Sequence, residues 1–220
     1  MLQTSAARTA EAKELSAFCQ LARQLARVGR DFRSRGWALG TSGNFSAVVS
    51  VEPLRLAITQ TGIDKQALTE REIILVDENG RAVKGPGRPS EEVTLHLTIV
   101  RVKRAGAVLH THSVWGTLAS EHCAERGGLN IEGYEMLKGL QGIRTHQHQE
   151  WLPILENSQD MKALAASIED ALAQHPDCHG FLLRRHGLYT WGQDLVQSKR
   201  HVGILEFLLE LVGRKTGMNG

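Results

Sequence analysis

Gly106-Ala-Val-Leu-His-Thr-His-Ser113 is the stretch from which the chain is best read. Small and apolar residues lead into His110 and His112, and a new apolar run starts at Val114. On an extended strand, residues two apart share a face with their Cα atoms about 6.5–7 Å apart. Two imidazoles can therefore converge on one ion. A strand end that simply carries two polar residues is the plain alternative. A third isolated histidine, His186, closes another apolar strand-like run that starts at Phe181. Three histidines with a fourth position left open describe a catalytic rather than a structural zinc site.

Composition sets the frame for this reading. The 220 residues are 41% hydrophobic and 23% charged, with a formal net charge of +2, which fits one domain with a full core or at most two small ones, and we take residues 1–220 as a single domain. Lysines and arginines are spread along the chain, so neither charge nor motif asks for nucleic acid. Cys19, Cys123 and Cys178 are far apart and lack a Cys-x-x-Cys spacing, as expected of free thiols in a reducing compartment. No apolar segment approaches the roughly 18 residues needed to span a bilayer, and residues 1–13 lack the apolar region of a signal peptide. A cytoplasmic location is the resulting expectation.

Outward from the central stretch, the periodicity predicts an amphipathic helix over 11–33, with Leu15, Phe18, Cys19, Ala22, Leu25, Ala26 and Phe32 inward. Gly40-Thr-Ser-Gly-Asn44 follows, a loop of hydroxyls, an amide and glycines that can present donors to an anion, or else an ordinary turn. Strands are expected at 45–51 and 54–59. The second runs into Thr61-Gly-Ile-Asp-Lys65, and two such loops make a phosphate pocket more credible than either alone. Asp77-Glu-Asn-Gly80 signals a turn between a strand at 73–76 and a short segment at 81–84. Ser90 is placed to cap a buried helix running to about Lys103, with Glu91 and Glu92 in its first turn. Glu92 and His96, four apart, share a face.

After the histidine strand, residues 114–126 read as a helix stopped by Gly127-Gly128. Residues 131–139 read as a helical turn carrying Glu135, a position where glutamate is ordinarily solvated. Thr145-His-Gln-His-Gln149 offers another His-x-His, at His146 and His148. Its polar flanks suggest a solvent-facing strand or a substrate-side wall, and no third ligand is evident. A strand at 151–155, a helix at 161–174, strands at 178–185 and 188–191, and a last helix from Leu195 to about Lys215 complete the chain. The alternation predicts a mixed sheet covered by helices on both faces.

Gly40-Thr-Ser-Gly-Asn44, Thr61-Gly62 with Lys65, Pro89-Ser-Glu-Glu92 with His96, His110-Thr-His112 and His186-Gly187 occur in the order found in the class II aldolase/adducin family, which the chain resembles over roughly residues 40–190. The resemblance implies a three-layer α/β/α fold with a mixed, mostly antiparallel central sheet. It implies a homotetramer with sites near subunit boundaries and one Zn2+ per subunit held by His110, His112 and His186. It also implies phosphate and substrate binding by Thr41, Ser42, Gly43, Asn44, Thr61, Gly62, Lys65 and Ser90. Within the family, Gly133-Tyr-Glu-Met-Leu-Lys-Gly139, Thr145-His-Gln-His148, Pro153-Ile154, Glu156-Asn-Ser-Gln-Asp160 and Arg184-Arg-His-Gly-Leu-Tyr-Thr-Trp-Gly192 are similar to the methylthioribulose-1-phosphate dehydratase branch. That similarity implies a metal-dependent hydro-lyase of methionine salvage with Glu135 as general acid/base. Glu92 stands at the position of the aldolase catalytic glutamate, where it would share the proton work or orient a ligand.

Two departures separate the chain from the aldolase branch. Glu91 replaces a second serine at the phosphate end, and the C-terminal tyrosine used there as a proton donor is missing; this chain has only Tyr134 and Tyr189. Retro-aldol cleavage or 4-epimerisation of a sugar phosphate is the nearest rival reading. A non-catalytic adducin-like assembly module is the rival from another class, and the presence of all three histidines weighs against it.

Overall fold

The computed structural model describes residues 2–217, with side chains from Arg8 onward, so Met1 of the stretch read as lacking a leader lies outside the described residues. Helix α1 (Leu2–Ser34) starts earlier than periodicity predicts. It turns Phe18, Ala22, Leu25, Ala26 and Phe32 inward but leaves Leu15 and Cys19 exposed. The chain then enters β1 (Asn44–Val51), β2 (Leu54–Thr59), β3 (Ile73–Val76) and the short β4 (Ala82–Lys84), all joined antiparallel. Helix α2 (Val93–Lys103) leads to β5 (Ala107–Thr111), the strand that carries His110. After α3 (Val114–His122) come β6 (Gly128–Glu132), β7 (Gln149–Leu155), α4 (Met161–Gln174), the hairpin of β8 (Gly180–Leu183) with β9 (Gly187–Gly192), and α5 (Leu195–Lys215).

These strands form one sheet in the order β4-β3-β2-β1-β5-β9-β8-β7-β6. Among its pairs only β7 with β8 is parallel. The mixed, mostly antiparallel sheet expected from the sequence is therefore present. Alternation along the strands divides the core between its two faces. Leu56, Ile58, Val108 and Tyr189 join the cluster under α2 and α4, whereas Ala57, Ala107 and Leu109 join the cluster under α1. Helices α3 and α5 pack with β6 and β7 in a third cluster around Leu182, Leu205 and Leu209. No described helix is long and apolar enough to cross a membrane.

Several local expectations need correction. Ser90 does not cap α2 directly: Glu92 is the cap residue, while Ser90 Oγ accepts the Glu92 N–H one step earlier. The helix is not buried throughout: Val102 is exposed, whereas Leu95 and Ile99 are buried. The 114–126 helix breaks at Cys123 into α3 and a single 3-10 turn. Strand β6 escaped the sequence reading because it is only five residues long and begins at the glycine taken as a helix stop, although its residues from Leu129 alternate as a strand's do. Residues 145–148 are no strand: the Thr145 hydroxyl accepts the Gln147 N–H and forms a turn.

Candidate metal and phosphate centre

The antiparallel register of β5 with β9 sets Tyr189 opposite His110, and the rings stack with centroids 3.8 Å apart at 12°. His110 is fully buried and donates from Nδ1 to the Leu188 carbonyl at 3.0 Å. That bond leaves a lone pair on Nε2. His112 follows the end of β5, and its N–H bonds to the Trp37 carbonyl. Its Nε2 lies 2.8 Å from His110 Nε2. His186 Nε2 lies 3.3 Å from His110 Nε2.

Two close approaches bring His186 to this point. A Cβ on Gly187 would lie 2.0 Å from the Thr111 carbonyl oxygen, so only glycine lets the β8–β9 turn come this near β5. Arg185 takes a left-handed φ of 56°. It is held there by an N–H bond to Ser120 Oγ and by its guanidinium on Glu121.

The convergence of three imidazole nitrogens fits a metal ion. Ligand bonds of about 2.0–2.1 Å in a tetrahedral site set neighbouring nitrogens ~3.3 Å apart. Burial, with the neighbouring His112 and His186 adding to it, holds His110 well below the ordinary imidazole range. Burial likewise brings His112 to about 4 and lowers His186, where Glu92 opposes the shift. All three therefore present lone pairs rather than charges at neutral pH.

Glu92 completes the group. Its Oε1 lies 3.4 Å from His186 Nε2 and 3.6 Å from His110 Nε2, and it accepts the Tyr189 hydroxyl at 2.9 Å. Its Oε2 accepts the Asn44 amide. A buried chain lies behind that amide: Ser46 Oγ bonds His96 Nδ1 at 2.7 Å, and His96 Nε2 bonds Asn44 Oδ1. His96 is pushed down to about 3 by burial, so it is neutral with a single N–H. That proton belongs on Nε2, facing the amide oxygen, and Nδ1 accepts the serine hydroxyl. The side chain of Asn44, expected at the phosphate, is thereby engaged at both ends and orients Glu92.

The phosphate candidates are brought close together. Thr41, Ser42, Gly43, Asn44, Thr61, Lys65 and Ser90 line a cavity of about 170 Å³ with Glu92 and His112. Gly62, at a φ of +77°, turns the chain between Thr61 and Lys65. Lys65 donates to the Thr41 and Ile63 carbonyls, and burial lowers it to about 8. Ser42 Oγ is buried without a hydrogen-bond partner. Gly43 has a φ of +74°, and a Cβ there would lie 2.7 Å from the His110 carbonyl oxygen. A wider cleft of about 510 Å³ continues past Thr61, Ser90, Glu92 and His186 to Arg88, Asn157 and Gln159. Arg88 had no part in the sequence reading of the site, and Tyr189 entered it only as one of two tyrosines, with no place beside the histidines. The pairing of two separate strands reveals Tyr189.

Glu135 is placed differently. It starts a 3-10 turn at Glu135–Gly139 with its side chain 72% exposed. Its partners are Lys138 at 2.6 Å and His146 at 3.8 Å. Lys138 keeps its carboxyl below the ordinary range. Within one chain, then, Glu135 is not gathered with the histidines, whereas Glu92 is.

Comparison with known proteins now adds to this geometry. The model of the class II aldolase and adducin N-terminal domain matches residues 23–212. The chain belongs to the class II aldolase and adducin family. Among members of the family, it is 38% identical over 206 residues to a methylthioribulose-1-phosphate dehydratase of Sorangium cellulosum (strain So ce56), covering 93% of this chain and 96% of that protein. It is 41% identical over 198 residues to one of Methylococcus capsulatus (strain ATCC 33009 / NCIMB 11132 / Bath), covering 90% and 95%. Of solved structures, YgbL from Escherichia coli superposes with a TM-score of 0.75 at 25% identity, covering 89% of each chain. An L-fuculose 1-phosphate aldolase superposes with a TM-score of 0.74 at 22% identity, covering 91% of this chain and 88% of that one, a likeness of fold.

Proposed function

We propose that this chain is a methylthioribulose-1-phosphate dehydratase, a hydro-lyase that removes water from 5-methylthio-D-ribulose 1-phosphate to give 5-methylthio-2,3-dioxopentyl 1-phosphate in methionine salvage. The observation that carries the reading is the convergence of His110, His112 and His186 beside a cavity of hydroxyls and a buried lysine, in a chain aligned nearly end to end with proteins bearing that name. His110, His112 and His186 would hold Zn2+ as the native ion. When bound, the ion supplies Lewis acidity that polarises the C2 carbonyl and makes the C3 proton more acidic.

The protein's own groups do the rest. Thr41, Thr61, Ser90, the unpartnered Ser42 hydroxyl and the third donor of Lys65 bind the phosphate, with Gly43 and Gly62 shaping the loops around it. Asn44 orients Glu92 there. Glu92, fixed by Tyr189 and Asn44, orients the substrate's hydroxyls against the histidines. Glu135 takes the C3 proton and returns a proton to the C4 hydroxyl, which leaves as water; the resulting enol then tautomerises to the 2,3-diketone.

The proposal includes a homotetramer in which Glu135, solvent-facing in its own chain, enters the site of a neighbouring copy. Burial there would raise its pKa toward the range useful for proton transfer. A cytoplasmic location is part of the proposal, supported by three free cysteines.

The test is turnover of metal-loaded protein on methylthioribulose 1-phosphate, alongside Glu135→Gln. Wild type is expected to form the diketone, and the variant to lose at least about 100-fold in kcat while retaining its metal, the usual scale of a lost general acid/base. Full activity in Glu135→Gln would remove the proton-transfer assignment, and absence of diketone in wild type would remove the function.

A further inference from the structure

A second group of imidazoles lies outside the cavities that surround the triad. Glu150, on β7, is 1% exposed, and its Oε2 meets His148 Nε2 at 2.8 Å and His179 Nδ1 at 2.9 Å. Its Oε1 accepts the backbone N–H of His179 at 2.8 Å. The other ring nitrogen of His179 lies 2.8 Å from the Gln141 carbonyl oxygen. Both nitrogens of His179 thus face oxygens, and neither oxygen can donate when Glu150 is ionised. A neutral imidazole carries one N–H, so it would set lone pair against lone pair at one of these contacts. A positive charge belongs between His179 Nδ1 and Glu150, and it is either a proton or a metal ion.

The surroundings have the ligand set a metal ion would need. One ligand atom from each of His148, Glu150 and His179 lies within 4.8 Å of the others. Two imidazoles and one carboxylate suit first-row divalent ions. The outer partners that orient such ligands are already in place: a carbonyl on the far N–H of His179, and a backbone N–H on the far oxygen of Glu150. His148 and His179 also line a cavity of about 510 Å³, through which water could complete the coordination.

We propose that His148, Glu150 and His179 form a second cation site, separate from the triad, that takes a first-row divalent ion such as zinc. The ion would act structurally. His179 holds the Gln141 carbonyl while His201 Nε2 accepts the Gln141 N–H at 3.1 Å. Gln141 follows shortly after the turn that begins at Glu135, so the ion would fix where that turn sits.

Metal bound per chain tests this directly. Full-length protein is equilibrated with zinc, desalted and analysed by plasma mass spectrometry, as wild type, His148→Ala, Glu150→Gln and His110→Ala. One equivalent is expected to disappear in His148→Ala and in Glu150→Gln but to remain in His110→Ala. His148 is 23% exposed at its side chain, so its variant keeps the test valid if the buried Glu150 substitution does not fold. A zinc content in His148→Ala equal to that of wild type would overturn the proposal and leave a proton as the bridging charge. Failure of the triad to bind zinc would show instead as no loss in His110→Ala, so the two readings fail separately.

Discussion

Tyr189 has no free surface, yet it touches two parts of the site: its ring stacks on His110 and its hydroxyl bonds Glu92. A hydrogen bond to a charged carboxylate contributes roughly 1.5–3 kcal/mol, and here it fixes a group facing His110 and His186. Tyr189→Phe keeps the stacking, so metal content is expected to stay constant while kcat falls about 10-fold, each factor of ten being 1.36 kcal/mol of barrier. Unchanged steady-state kinetics would show that Glu92 needs no such anchor. Glu206 works from behind. It is 2% exposed on α5, accepts the Thr111 hydroxyl between the two strand histidines, and is raised to about 7 by burial. An acid whose folded pKa lies above its unfolded value weakens folding as pH rises from the unfolded pKa through the folded one. The loss is roughly 3 kcal/mol, spread between about pH 4.5 and 7. Glu206→Gln should flatten that part of the stability curve in denaturant titrations at several pH values. A variant curve parallel to wild type would contradict the assignment.

At the scale of elements, the site is made where β5 ends and the β8–β9 turn crosses it. The backbones approach so closely at Gly187 and Thr111 that Gly187→Ala must push them apart. Overpacking of this kind costs roughly 1–3 kcal/mol, and because the displaced turn carries His186, zinc affinity should fall together with the melting temperature. Normal affinity in a destabilised variant would separate the turn from the ligand geometry. The same elements explain what the sequence disclosed. His110 and His112 stood out because an apolar strand has a period of two, and the 40–44 and 61–65 loops because hydroxyls and glycines cluster after or before strands. The partnership of Tyr189 with His110 depends on register between strands far apart in sequence. Likewise, His148 was read with His146 and without a third ligand because His179 reaches Glu150 only when β7 lies beside β8. Asn44 was recognised as a site residue, but its bonds to Glu92 and His96 become visible only when β1 lies against α2.

At the scale of the whole molecule, the proposal sets Glu135 in the site of a neighbouring copy. Its own sequence context marked a solvated glutamate and only the family resemblance marked catalysis; in one chain it lies at the surface, and any partner copy beside it is something a single chain's periodicity does not encode. If it serves a neighbouring copy, light scattering should give a tetramer, and dilution to subunits should abolish turnover while the triad keeps its metal. Mixed oligomers of Glu135→Gln and His110→Ala chains, each inactive alone, should regain part of the activity because some sites combine an intact triad with an intact glutamate. Mixtures as inactive as their parents would place Glu135 outside the reaction or within its own chain.

The most direct measurement remains the mass of the product formed by wild-type, metal-loaded protein from methylthioribulose 1-phosphate. Dehydration predicts one product that retains every carbon and is lighter by one water. A shorter aldehyde accompanied by a phosphorylated fragment would show cleavage of the C3–C4 bond and contradict the account.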